Sequence, residues 1–213
     1  WYCPEEEGCT PEFQPVFAQA ITNLNAAGIF VVVSAGNAGD ACQTINTIPA
    51  SIDPAFATGA TDTRDEVASF SARGPAFSFS GEQLAKPDVT APGVQVRSAG
   101  LKGTYRTFSG TSMAGPHVAG TVALMISANP NLRGAVDTLE AILRRTARPL
   151  QSLVNCGSQS LSERFDPAYG YGRIDALAAV QEAISNTTNN GSQPRNEKQV
   201  IVFPNPVHQT VQF

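Results

Sequence analysis

Of the side chains in this 213-residue chain that could begin a covalent reaction, the best placed is Ser112. It lies within Phe108-Ser109-Gly110-Thr111-Ser112-Met113-Ala114-Gly115-Pro116-His117-Val118-Ala119-Gly120. The small residues before it read as a turn, and the apolar run Thr121 to Ile126 reads as the continuation of a helix that Ser112 opens. At a helix start, backbone N–H groups point outward unpaired and the dipole is positive, so negative charge developing beside the serine oxygen is favoured. Ser112 is therefore the candidate nucleophile, although Gly-Thr-Ser before an apolar run also describes an ordinary helix cap. A nucleophilic serine needs a base, and the chain has two histidines, His117 and His208. On a helix, His117 sits about 140° around the axis from Ser112 and faces away from its oxygen. His208 falls in an apparent appendage far along the chain.

The elements that must position Ser112 follow from periodicity. Pro11 opens an amphipathic helix with Phe13, Val16, Phe17, Ala20, Ile21 and Leu24 on its apolar face, and Gly28 ends it. Ile29 to Val33 is an unalternating β-branched run, the pattern of a parallel strand buried on both faces. It ends in Ser34-Ala35-Gly36-Asn37, at the strand's carboxyl end, where open α/β sheets gather their ligands. On its own, Asn37 also reads as a residue that closes a strand-to-loop turn. Phe56 to Asp62 and Val67 to Pro75 read as two further strands, followed by Lys86-Pro87-Asp88-Val89-Thr90-Ala91-Pro92-Gly93. The helix from Ser112 is apolar on all faces, as a buried central helix would be, and stops at Asn129-Pro130. Two more helices are expected, at Ala135 to Ala147 and Ala176 to Ile184. The class is α/β.

Gly110-Thr111-Ser112-Met113-Ala114 followed by Pro116-His117-Val118-Ala119-Gly120 closely resembles the nucleophile motif of subtilisin-like serine proteases, the subtilases, and the likeness extends over nearly all of residues 1–185. It implies a doubly wound, mostly parallel sheet with helices on both faces, and a serine endopeptidase acting on proteins or peptides through an acyl-enzyme. By the same resemblance, Asn37 donates its amide to the oxyanion, Ser34, Ala35 and Gly36 line the pocket for the residue before the scissile bond, and His117 is a packing residue. Asp88 invites a catalytic reading, but in subtilases the Pro-Asp-Val segment is structural and lies between the triad histidine and serine. The family's aspartate motif and His-Gly-Thr motif are both absent, so the resemblance implies the C-terminal part of a catalytic domain without its first strands. Trp1-Tyr2-Cys3-Pro4, Cys9, Cys42 and Tyr169-Gly170-Tyr171-Gly172-Arg173-Ile174-Asp175 are similar to the bacillopeptidase F-like branch. No cofactor is required; subtilases often carry calcium, but no ligand set is matched here. The complete enzyme is expected to be a monomer. The alternative is a pseudoprotease that serves as a binding or structural module.

A net charge of −4 gives no reason to expect nucleic acid as a partner, and no apolar run approaches the length of a membrane span. The chain opens on Trp1, without an initiator methionine or signal segment, and reads as a cut through a longer protein. Cys3, Cys9, Cys42 and Cys156 lack paired metal-ligand spacing, which favours disulfides in an exported protein over a zinc site, with free thiols as the alternative. Three pairings remain open; Cys3 with Cys9 and Cys42 with Cys156 is preferred. Residues 186–199, rich in Asn, Thr and Gly, read as a flexible linker. Residues 200–213 read as the start of a β-rich domain, and Phe203-Pro204-Asn205-Pro206 after Val200-Ile201-Val202 is similar to the opening of the sorting domain used in bacterial type IX secretion. A secreted or cell-surface bacterial protein is therefore expected.

Overall fold

A computed structural model describes residues 14–78, 80–153, 156–157 and 164–189. Cys3, Cys9, Phe13, His208 and the expected β-rich segment 200–213 lie outside the described residues.

The sheet forms where β-branched and small residues leave no room for water. Three parallel strands stand in the order β1 (Val32–Ser34), β2 (Phe56–Thr61), β5 (Val89–Pro92), with Val33 opposite Ala57 and Ala60 opposite Ala91. Strand β2 lies in the middle and is buried along its whole length. Alternation along the strands separates two apolar layers. Phe56, Ala60, Val89 and Ala91 meet α2 (Thr111–Ala128), α3 (Val136–Thr146) and α4 (Ala176–Asn189) through Val118, Met125, Leu139, Ile142, Ala179 and their neighbours. On the opposite face, Val33 meets Ile45 and Ala57 as well as α1 (Gln14–Ala26), which packs through Phe17 and Ile21. Helices thus cover both faces, as the α/β expectation required.

Two antiparallel hairpins flank the sheet, β3 (Ala76–Phe77) with β4 (Gln83–Leu84) and β6 (Val96–Ala99) with β7 (Tyr105–Phe108). A disulfide joins Cys42 to Cys156, which is one half of the preferred pairing.

Several expectations need correcting. Strand β1 is half-buried rather than buried on both faces, because among the described residues it has a neighbour on one side only. Val67 to Pro75 is not a strand: Val67 makes a single bridge to Thr61, and the segment then turns so that Ser71 Oγ accepts from Ala60 N at 3.0 Å. On α1, Val16 and Leu24 face outward although the periodicity places them on the apolar face. Helix α2 buries Ala114, Val118, Val122 and Met125 but exposes Ala119, Ala123 and Leu124, so it is not a helix buried on all sides. Helix α4 continues to Asn189, four residues into the stretch read as linker, since extending a docked helix is far easier than starting one.

Candidate active site

The carboxyl ends of β1 and β5 meet the start of α2. Beyond β5, Gly93 O accepts from Gly110 N at 2.8 Å, which fixes where the turn before the helix lies. Glycine is required at 93: an added Cβ would stand 2.6 Å from Ala60 Cβ and 2.9 Å from Gly110 O. An added Cβ at Gly110 would press within 3.4 Å of Asn37 Nδ2.

Asn37 is held by the residue that precedes the candidate nucleophile. Its Oδ1 accepts from both Thr111 N and Thr111 Oγ1 at 3.0 Å, while Thr111 Oγ1 accepts from Gly36 N at 3.2 Å. With its oxygen occupied in this way, the amide presents Nδ2 as its free, donating end. Thr111 is itself buried, whereas Asn37 and Ser112 are exposed. Among the described residues, Thr111 N and Met113 N have acceptors in Asn37 Oδ1 and Gly110 O, and the Ser112 N–H has none. A Cβ built at Gly110 would stand 3.4 Å from Asn37 Nδ2 and 3.8 Å from Ser112 N, so an amide donor and a backbone donor lie close together beside the start of the helix, and two such donors can stabilise oxygen charge in acyl transfer.

The other predicted residues divide. Ser34 ends β1 and Ala35 and Gly36 follow it; Ala35 is fully buried and anchored through its N–H to Thr58 O at 2.9 Å. His117 does not face Ser112: its Nδ1 donates to Met113 O at 2.9 Å, one turn back on its own helix. It is exposed, so the packing role expected for it is not found among the described residues.

Asp88 is buried at the other end of the sheet. Its Oδ2 accepts from Lys86 Nζ at 2.8 Å and from Ala57 N at 2.6 Å, and its Oδ1 accepts from Arg144 Nη2 at 2.6 Å. Lys86 Nζ also donates to Asp53 O and Ala55 O. Burial alone would lower the Arg144 guanidinium, but the Asp88 carboxylate beside it and then Glu140 hold it above its ordinary value. Burial raises the Glu140 carboxyl, with Arg144 at 3.0 Å opposing the rise. Fully engaged in this way, Asp88 joins strands to a helix and has no part in chemistry at Ser112.

Among the described residues, no group of three or more His, Cys, Asp or Glu side chains could hold a metal ion, and no helix is long and apolar enough to cross a membrane. Sequence reasoning missed Thr111 as the partner of Asn37. The signal lay in a hydroxyl residue directly before the candidate serine, in a position that reads equally as a cap.

Comparison with known proteins places the chain as a whole. The chain is 36% identical over 196 residues to bacillopeptidase F of Bacillus subtilis (strain 168), a match covering 88% of this chain and 13% of that protein. It is 36% identical over 173 residues to subtilisin DY of Bacillus licheniformis, covering 80% of this chain and 54% of that protein. In fold it is similar to the prenylagaramide maturation protease PagA, with a TM-score of 0.59 at 24% identity, covering 78% of this chain and 54% of that one. The chain thus spans about half the length of the subtilisin it matches and a smaller share of bacillopeptidase F. The Subtilase family model matches residues 7–172, and the chain belongs to that family.

Proposed function

We propose that this chain is the nucleophile-bearing part of a secreted bacterial serine endopeptidase. The observation that carries the reading is the clamp on Asn37, which leaves an amide donor beside Ser112 at a helix start. Ser112 attacks the peptide carbonyl, and Asn37 Nδ2 together with the Ser112 N–H receives the oxyanion. The scheme is the one known for subtilisins, which are relatives of this chain. Ser34 to Gly36 line the pocket for the residue before the scissile bond. The base and the carboxylate that orients it are supplied from outside residues 1–213, since His117 is turned away from Ser112. The reading extends to a bacillopeptidase F-like enzyme that is monomeric when complete, needs no organic cofactor, and carries after a linker at 186–199 the beginning of a sorting-type domain at 200–213.

A fluorophosphonate probe tests it. The full-length protein labels rapidly at Ser112, Ser112→Ala abolishes the labelling, and the isolated 213-residue chain labels far more slowly for want of a base. Rapid labelling of the isolated chain would overturn the missing-base account. A full-length protein that contains neither an aspartate motif nor a His-Gly-Thr motif and remains unlabelled would favour a pseudoprotease.

A further inference from the structure

From Val89 to Val136 the chain contains no carboxylate side chain, yet this stretch carries Arg97, Lys102, Arg106 and Arg133 in a protein of net charge −4. Three of these cations lie on the β6–β7 hairpin or its turn, a few residues before Ser112. Pairing of Val96 with Phe108 and of Ser98 with Arg106 places Arg106 and Phe108 on one face, and Arg97 and Tyr105 on the other. The Arg97 guanidinium lies 3.9 Å from the centroid of the Tyr105 ring. All of β7 is exposed, Leu101 at the turn is 80% exposed, and among the described residues Lys102 and Arg106 have no ion-pair partner. A two-stranded ribbon with both faces wet is marginal by itself. This one is held at its base, where Gln95 N donates to Ser109 Oγ at 2.9 Å and Gly110 N to Gly93 O at 2.8 Å. The backbone that sets Ser112 therefore also carries a cationic, aromatic ribbon.

We propose that the β6–β7 ribbon docks an acidic stretch of the polypeptide being cleaved, so that the enzyme favours substrates with Asp or Glu near the scissile bond. This rests on the endopeptidase reading above and names its substrate class. Charge complementarity identifies the occupant: Lys102 and Arg106, without an ion-pair partner among the described residues, meet substrate carboxylates; Phe108, on the Arg106 face, offers apolar surface to the stems of the substrate side chains; and Arg97, on the other face against Tyr105, adds to the local positive field. Exposed ion pairs are individually weak and are screened by salt, so the preference is the sum of several and fades as ionic strength rises.

The test compares kcat/KM of the full-length protein on matched peptides that place a run of Glu, Gln or Lys on one or the other side of the scissile bond. The Glu peptide is cleaved about fivefold faster than the Gln peptide at low salt, and the Lys peptide most slowly. Combined Arg97→Glu, Lys102→Glu and Arg106→Glu inverts the order. Gln at the same three positions flattens it, and melting curves of the variants against wild type control for folding. Equal rates on all three peptides, or an acid preference that survives charge reversal, overturns the proposal while the endopeptidase reading stands. Flat peptide rates with charge-dependent capture on phosphatidylglycerol vesicles would assign the ribbon to a membrane surface, and also overturns it. If no peptide is cleaved and Ser112 is not labelled, the endopeptidase reading fails instead. Anisotropy of a labelled Glu peptide with the 213-residue chain then decides the ribbon: binding lost on charge reversal supports it, and absence of binding refutes it.

Discussion

The two ends of the parallel sheet are built in opposite ways. At the amino end of β5, Lys86, Asp88 and Arg144 place three formal charges against one another, Lys86 and Asp88 almost wholly out of water. At the carboxyl end, Asn37, Thr111 and Ser112 carry no charge, and two of the three are exposed. Buried charges are tolerable only when every partner is present, so the first end is rigid and intolerant of change. The second end uses neutral dipoles with two donors, Asn37 Nδ2 and the Ser112 N–H, unengaged among the described residues, which on the proposed function keeps it open to a charge that exists only during reaction. On the proposed function, stability and chemistry fall at different ends of the same three strands.

Removing Asp88 tests that separation most severely. Asp88→Ala strands the buried Lys86 ammonium and should lower unfolding free energy by about 3–5 kcal/mol in urea titrations. A loss below about 1 kcal/mol would mean that the charged end is not a fixed structural joint. At the other end, Asn37→Ala in the full-length enzyme should cut kcat by about 10²–10³, the loss known for removal of such a donor in a subtilisin, with little change in melting temperature. Thr111→Val is the finer probe. It leaves the donor in place but loosens its hold, so kcat should fall about 3- to 10-fold with KM nearly constant. Thr111→Ser, which keeps the hydroxyl, should restore most of the rate. If Thr111→Val instead lowers thermal stability and leaves kcat alone, Thr111 is only a helix cap.

The smallest effect concerns Glu140, whose carboxyl is raised by burial. Its ionised form disfavours the folded state at neutral pH, and that penalty disappears as pH falls through the raised folded-state value. Glu140→Gln should therefore equal or exceed wild-type stability by less than about 1 kcal/mol at neutral pH, with the advantage vanishing on acidification. Paired denaturation curves at two pH values measure it.

What could be read from the sequence, and what could not, follows the same division. Strand β2 is legible as a short run between turn signals, and helix α2 as a long apolar run that stops at Asn129-Pro130. The helix start beside Ser112 is legible because the motif around it is long. The outward face of α2 is not, since exposure of Leu124 depends on what stands opposite it and not on the residues beside it. Val67 to Pro75 misleads because its apolar residues serve single contacts, such as Ala68 N to Ala60 O at 2.9 Å, and not a continuous ladder. The grip of Thr111 on Asn37 joins residues 74 positions apart, and no local pattern announces it. The Cys42–Cys156 pairing likewise spans 114 positions.

On the proposed function that crosslink has a consequence, since an endopeptidase is exposed to cleavage by its own copies. Strands β2 and β5, the exposed β6–β7 ribbon, α2 and α3 all lie between the two cysteines. A single cut at the Leu101–Lys102 turn would open a covalent ring without releasing either piece, so a nicked molecule stays one particle until its cysteines are reduced.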